Sequence, residues 1–99
     1  MIDQETYVKR NSDVFANEID GEAVMMNIQT GKYYGLDEVG SRIWELMEHK
    51  IQVKKIIEQL QKEYDVSEEQ CKTDVINLLN DLKSNQLIEV KDWNADDAD

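Results

Sequence analysis

Glycine and proline are placed so unevenly along this sequence that they divide it into two halves of different structure. The chain has no proline, and its four glycines all lie within the first 40 residues. Two of them follow Asp20 and Thr30 in dipeptides typical of tight turns, because glycine adopts positive φ angles without steric cost. Short runs rich in Val, Ile, Met and Tyr flank these turns and predict an antiparallel meander of three strands. The strands are expected at Val14–Ile19, Glu22–Ile28 and Lys32–Leu36.

The second half follows a helical period, with apolar residues three or four positions apart. Asp37 is a candidate N-cap, and Ser67 with Gln70 three residues later has the pattern of a capping box. Three helices are therefore expected at about 37–49, 53–64 and 68–85, and Leu87–Val90 is a candidate closing strand. The main apolar stripe of the third helix comprises Cys71, Val75, Leu78 and Leu82.

This order of elements predicts an α+β fold in which a three-stranded antiparallel sheet is followed by a three-helix bundle, in the style of a winged helix. The folded domain is expected to span residues 14–91. Residues 1–13 are polar and mixed, and residues 92–99 are nearly all Asp, Asn and Ala. Because such segments hold little apolar surface to offset the entropy of ordering, we expect a flexible N-terminal segment and a disordered acidic tail.

The chain carries 22 acidic and 11 basic side chains, which gives a formal net charge of −11. Nucleic acids and anionic membranes are bound mainly through Lys and Arg, so neither is expected as a partner. No apolar run approaches the roughly 18 residues of a membrane span, and a single cysteine excludes a disulfide framework. We therefore expect a cytoplasmic protein. A winged-helix DNA-binding regulator remains an alternative, although the third helix is acidic rather than basic.

Residues capable of nucleophilic or metal chemistry are too few to form a recognisable catalytic set. His49 falls at the expected end of the first helix, where a partly positive imidazole suits the helix dipole. Cys71 lies on the apolar stripe of the third helix, where a free cysteine behaves as a small core residue. With neither a zinc ligand set nor a phosphate-binding glycine loop, no metal or cofactor is expected. The sequence favours a non-catalytic binding protein, with an enzyme built on Cys71 and His49 as the alternative.

The third strand, Lys32–Leu36, is the best candidate for a binding site. It is short and aromatic and comes last in the meander, so one edge is expected to be open for pairing with an extended peptide. A second apolar flank of the third helix, rimmed by lysines, is expected to face that edge. This flank comprises Lys72, Ile76, Leu79 and Lys83. The alternative is that the tyrosines of the strand and the apolar residues of the flank only complete a small core.

Three stretches of the sequence resemble the PqqD-like family, whose members recognise the leader segments of ribosomally synthesised, post-translationally modified peptides. The combination of a turn, an aromatic strand, Leu-Asp-Glu and Ile-Trp-Glu-Leu, followed by Glu-Tyr-Asp-Val, is fairly specific. The resemblance covers about residues 14–90. The stretches are MNIQTGKYYGLDEVGSRIWELM (Met26–Met47), VKKIIEQLQKEYDVS (Val53–Ser67) and DVINLLNDLKSNQLIEV (Asp74–Val90).

The resemblance implies a winged-helix-like adaptor or chaperone in which the leader adds to the third strand and packs against the third helix. The chain is most similar to freestanding members from lasso-peptide pathways with split protease machinery. The implied partners are the precursor peptide, a leader peptidase and a macrolactam synthetase, with the chain as a monomer or a strand-swapped dimer. Presentation of a precursor to a radical enzyme stays open as a sibling role. The implied peptide-binding residues are Lys32, Tyr33, Tyr34, Gly35 and Leu36 on the strand and Lys72, Val75, Ile76, Leu79 and Lys83 on the helix.

Overall fold

Six strands and three helices follow one another within residues 2–91, the part of the chain that this computed structural model describes. The predicted α+β class and the predicted order of a meander followed by three helices are confirmed. The strands are β1 (Tyr7–Arg10), β2 (Val14–Ile19), β3 (Glu22–Asn27), β4 (Tyr33–Gly35), β5 (Ile51–Gln52) and β6 (Ile88–Lys91). The helices are α1 (Glu38–Leu46), α2 (Val53–Glu63) and α3 (Glu68–Ser84).

The predicted meander is the sheet β2-β3-β4, in which both neighbouring pairs are antiparallel. The two residues of the β2–β3 turn have φ angles of 54° and 82°, the left-handed backbone that a two-residue hairpin turn of this type requires. The register aligns Phe15, Met26 and Tyr33 across the three strands. Because side chains alternate along a strand, these three lie on one face of the sheet, while Met25 and Tyr34 lie on the face that packs on the core.

A second sheet, with strand order β5-β1-β6, corrects the expectation that residues 1–13 are flexible. β1 is the central strand, and Val8 within it is completely buried. The sequence did not predict this strand because polar residues surround Val8, and no apolar alternation is visible there. Arg10 reaches the core because its Nε donates a hydrogen bond to the Trp44 carbonyl (2.9 Å) and its guanidinium lies 4.8 Å from the centre of the Trp44 ring. The folded part therefore includes Ile2, which is 3% exposed, whereas the expected disordered tail, 92–99, lies outside the described residues.

The predicted caps begin α1 and α3. Asp37 accepts a hydrogen bond from the Gly40 N–H (2.8 Å), and Ser67 accepts one from the Gln70 N–H (3.2 Å). The first helix ends at Leu46 rather than near residue 49, and the chain then turns to bring β5 beside β1. Within residues 2–91, no helix is both long and apolar enough to cross a membrane.

The C-terminal end of α3 is a Schellman motif, which turns the chain into β6. The Gln86 N–H donates to the Lys83 carbonyl (3.0 Å), and the Leu87 N–H donates to the Leu82 carbonyl (2.9 Å). Gln86 has a φ angle of 59°, the left-handed conformation that this motif requires of the residue after the cap. The motif satisfies two carbonyl groups that the helix itself leaves without a partner.

The buried stripe of α3 differs from the predicted one at a single position. The predicted residue Leu78 is only half-buried, and Leu79, which was expected to face a ligand, is completely buried instead. The observed core residues of the helix are Cys71, Val75, Leu79 and Leu82. They pack against the apolar face of α2, so this packing determines which of the two leucines enters the core.

Two polar side chains fix the meander to the helices. The Ser41 hydroxyl on α1 accepts a hydrogen bond from the Ala23 N–H (2.7 Å) and donates to the Leu36 carbonyl (3.3 Å). Asn27, which is buried at the end of β3, donates through Nδ2 to the carbonyl of Gln86 (2.6 Å). Buried polar groups cost free energy unless they are paired, so these bonds hold β3 and β4 in a defined position relative to α1 and α3.

Candidate functional site

β4 is the last strand of its sheet, and its outer edge has no paired strand within residues 2–91. On the inner side, the carbonyl of Lys32 and the N–H of Leu36 make backbone hydrogen bonds to β3, at 3.1 and 2.8 Å. Hydrogen bonding alternates from residue to residue along an antiparallel strand, so the N–H and C=O groups of Tyr33 and Gly35 point toward the open edge. An extended peptide lying along this edge meets up to four backbone groups.

A groove with a volume of about 600 Å³ lies between β4 and the start of α1 on one side and α3 on the other. Its floor is apolar, since Leu36 and Ile43 are buried and Leu78 is half-buried. The open strand edge and the apolar groove therefore lie side by side, with Gly35 belonging to both. The lining residues are Tyr34, Gly35, Leu36, Asp37, Val39, Gly40, Ile43, Asp74 and Leu78.

A smaller cavity of about 160 Å³ adjoins the groove near α2. The two share Val39, Ile43 and Asp74 as lining residues. Apart from Asp74, the walls of the smaller cavity are apolar or aromatic, and a cavity of this size accommodates a benzene-sized group. Its further lining residues are Leu60, Tyr64, Val66, Cys71 and Val75.

Carboxylates make the groove acidic and influence the groups beside it. Asp37 and Asp74 line the groove. The pKa of the Tyr34 phenol is raised, first by burial and second by the negative charge of Asp81. Burial also raises the pKa of the Cys71 thiol, and Asp74 adds to the effect. Because the thiolate is the reactive form of cysteine, this environment suits Cys71 to packing rather than to nucleophilic attack.

Three of the five predicted strand residues line the groove, namely Tyr34, Gly35 and Leu36. Tyr33 is 74% exposed, and its side chain lies on the opposite face of the sheet. Lys32 is exposed in the turn before β4. A peptide at the strand edge would therefore meet Tyr33 through its backbone, while the Tyr34 side chain faces the groove.

Two of the predicted helix residues are buried in the core rather than exposed in the groove. Leu79 is completely buried, and Val75 is 1% exposed and lines only the smaller cavity. Their substitution would therefore disturb the core, which corrects the expectation that Leu79 faces a ligand directly.

The groove lies on the other flank of α3 from the predicted one. At about 100° per residue, Asp74 and Leu78 lie on one side of the buried stripe, while Lys72 and Ile76 lie on the opposite side. Lys83 lines a separate polar cleft next to β6. The groove residues that sequence reasoning missed are Asp37, Val39, Gly40, Ile43, Asp74 and Leu78.

The residues considered for catalysis have separate environments. The His49 side chain is 89% exposed and lies 3.6 Å from the Glu48 carboxylate. Cys71 is buried, and its Sγ lies 3.9 Å from the Ile57 carbonyl. Among residues 2–91, no group of three or more His, Cys, Asp or Glu side chains is arranged to hold a metal ion.

Comparison with known proteins gives one family and two solved structures. The family model described as "Coenzyme PQQ synthesis protein D (PqqD)" matches residues 22–88. The structure "TbiB1 in Complex with the TbiA(beta) Leader Peptide" is 35% identical, has a TM-score of 0.77, and covers 92% of this chain and 99% of that one. The structure "Lasso peptide synthetase B1 complexed with the leader peptide" is 19% identical, with a TM-score of 0.72 over 83% of this chain and 96% of that one, and shows the fold alone. The curated proteins contain no match.

Proposed function

This chain belongs to the PqqD family, and on that premise we propose that it is a non-catalytic adaptor that binds the leader segment of a precursor peptide. The observation that carries this proposal is the open edge of β4 beside an apolar groove. The relative at 35% identity is described as a complex with a leader peptide, which supports the same class of ligand here. The groove side chains supply carboxylates, a phenol and apolar groups, which suit binding.

The leader would bind by strand addition to β4. Tyr33 and Gly35 offer backbone donors and acceptors to a fourth strand, which would extend the sheet β2-β3-β4. Alternate side chains of the added strand would then point into the groove, between β4 and α3. Backbone hydrogen bonds would fix the register of the leader against β4, and the groove would select particular leader side chains.

Strand pairing alone is too weak to hold a leader. Four hydrogen bonds at a net value of roughly 0.5–1.5 kcal/mol each give only a few kcal/mol, whereas micromolar affinity requires about 8.2 kcal/mol after the costs of association. Two or three apolar anchors, each contributing roughly 1.5–3 kcal/mol on burial, make up the difference. The floor formed by Leu36, Ile43 and Leu78 and the smaller apolar cavity are the places where such anchors would be buried.

We place the adaptor in lasso-peptide biosynthesis, where it would present the precursor to a leader peptidase and a macrolactam synthetase. The support for this finer role is the resemblance of the sequence to freestanding members of lasso-peptide pathways, together with the leader-peptide complex described for the relative at 35% identity. Binding of both leader and enzyme by one small protein raises the effective concentration of the cleavage site near the enzyme. A cytoplasmic location fits this role.

The family model itself favours a second pathway, in which the chain presents a precursor peptide to a radical enzyme, because its description refers to coenzyme PQQ synthesis. The binding mode would be the same in both pathways. A precursor gene beside a peptidase and a synthetase gene would support the lasso-peptide role, and a neighbouring radical-enzyme gene would support the other.

Isothermal titration calorimetry with the synthetic leader of the precursor encoded in the same gene neighbourhood tests the proposal. We expect one leader to bind per chain, with micromolar or tighter affinity. Absence of binding by a neighbouring leader, with a thermal melt confirming that the protein is folded, would contradict the proposed function. Addition of the chain should also accelerate cleavage of the precursor by the neighbouring peptidase.

A further inference from the structure

The groove has an acidic residue on each of its two sides. Asp74 lines the groove where it meets the smaller cavity. Asp81 follows Asp74 by seven residues, about two helical turns, and therefore lies on the same face of α3. Its negative charge also helps to raise the pKa of the Tyr34 phenol. Asp37 lines the groove from the start of α1. Two carboxylates thus line the groove beside its apolar floor, and a third lies on the same face of α3.

These carboxylates have no basic partner among residues 2–91. Asp74 accepts a hydrogen bond from the neutral amide of Gln70 (2.9 Å), and Asp37 accepts one from a backbone N–H. The ion pairs that the structure describes lie elsewhere, on α1, α2 and the N-terminal segment. A positive charge entering the groove would therefore meet carboxylates that are not already neutralised by the protein.

We infer that the groove selects leaders that carry basic side chains between their apolar anchors. These basic side chains would lie over Asp74 and Asp81. This inference rests on the proposed function and specifies its substrate class. An acidic or neutral leader with the same apolar residues would lose these ion pairs, and an acidic one would also be repelled. The three acidic residues thereby discriminate among extended peptides that the strand edge alone would accept equally.

The spacing of the two carboxylates on α3 defines the expected pattern. Seven residues of helix at a rise of about 1.5 Å separate Asp74 from Asp81 by roughly 10 Å along the axis. An extended peptide rises about 3.3 Å per residue, so roughly three residues cover that distance. Because side chains on one face of a strand recur every second residue, the basic residues are expected two or four positions apart in the leader.

Selection from a displayed library of random 14-residue peptides tests this inference without knowledge of the natural leader. Wild type is compared with the double variant Asp74→Asn/Asp81→Asn, which keeps the shape of both side chains. The matched control is Asp20→Asn/Glu22→Gln at the β2–β3 turn. It removes the same number of negative charges at a place outside the groove. Asparagine also tolerates the positive φ angle of residue 20.

Wild type and the control should enrich peptides with apolar residues and with Lys or Arg at the stated spacing, whereas the groove variant should enrich the apolar residues alone. For a selected peptide, the groove variant should bind roughly 2-fold to 30-fold more weakly in 0.1 M salt, the range expected for two exposed ion pairs. This difference should disappear near 1 M salt, where screening is nearly complete.

The possible results separate the two proposals. Enrichment of apolar peptides without basic residues by wild type would overturn the charge inference and leave the proposed function standing. Equal loss of basic residues in the control would also overturn it, because net charge alone would then explain the preference. No enrichment of any peptide by folded wild type would count against strand addition itself.

Discussion

Leu78 and Leu79 are neighbours on α3, yet Leu79 is completely buried while Leu78 lines the groove beside β4. The helix turns by about 100° per residue, which directs one side chain into the core and the other toward the groove. We infer that Leu79 serves the stability of the fold and that Leu78 serves the ligand. Because both are leucines on the same turn, substitution of each by alanine removes the same atoms.

Leu79→Ala is expected to lower the free energy of unfolding by about 2–5 kcal/mol, because it leaves a cavity in the core. Leu78→Ala is expected to lower it by about 1 kcal/mol or less, since its side chain is only half-buried. The latter variant should instead weaken leader binding by about 1–2 kcal/mol, as expected for an apolar anchor at an interface. Urea unfolding measures the first effect, and calorimetry with the leader measures the second.

The paired design makes each assignment open to contradiction. Unchanged leader binding by Leu78→Ala would remove this residue from the site. If Leu78→Ala lowered the free energy of unfolding as much as Leu79→Ala does, Leu78 would belong to the core.

The order of elements could be predicted because local signals carry it. The caps at Asp37 and Ser67 and the turn glycines act within a few residues of their own position. The strand β1 could not be predicted in this way. Tyr7–Arg10 is polar at two of its four positions and is defined by pairing with β5 and β6, both far along the chain.

The flank of α3 that lines the groove could not be predicted for a related reason. Either Leu78 or Leu79 completes a stripe with Cys71 and Val75, because both spacings fit a helical period. The packing of α2 against α3 decides between them, and that packing is a tertiary contact. Three of the five predicted strand residues line the groove, since alternation along β4 is a property of the strand itself.

Gly35→Pro is expected to weaken leader binding while the fold survives. The N–H of Gly35 points to the open edge of β4, so its loss removes a donor to the added strand without breaking a bond to β3. The proline ring would also project into the space of the added strand, and proline is tolerated on edge strands. We expect leader affinity to fall at least about tenfold, which corresponds to about 1.4 kcal/mol, in calorimetry.

Gly35→Ala is the matched control for this experiment. A Cβ at this position would meet no atom within 4 Å, and alanine keeps the N–H. Alanine should therefore bind the leader nearly as well as wild type. Strong binding by the proline variant would show that the leader does not pair with this edge.

Gln86→Gly is expected to stabilise the protein by about 0.5–1 kcal/mol. Residue 86 has a φ angle of 59°, which costs a residue with a side chain more than it costs glycine. The Gln86 carbonyl, which accepts hydrogen bonds from Asn11 and Asn27 (2.9 and 2.6 Å), is retained by glycine. Urea unfolding should show the gain, and Gln86→Ala, which keeps the same backbone cost, should show none. Equal stability of the two variants would argue against backbone strain at this position.

Glu63 should make the stability of the protein depend on pH in the acid range. Arg42 on α1 donates hydrogen bonds from Nε and Nη2 to the Glu63 carboxylate on α2, both at 2.8 Å. These bonds, with a further one from Gln59, lower the pKa of Glu63 from 4.5 to about 2. A carboxylate with a lowered pKa stabilises the folded state above its unfolded pKa, and this contribution is lost as the pH falls through the folded value.

The substitution Glu63→Gln removes this titrating group. It should therefore weaken the dependence of the free energy of unfolding on pH in the acid range. Wild type should have the higher urea midpoint at neutral pH, and the difference from the variant should shrink between about pH 4.5 and pH 2. Glu58→Gln is the control, because Glu58 is also exposed on α2 and has only a longer contact to Lys55 (3.6 Å). A constant difference between wild type and Glu63→Gln across this range would mean that the pair with Arg42 does not titrate as the geometry requires.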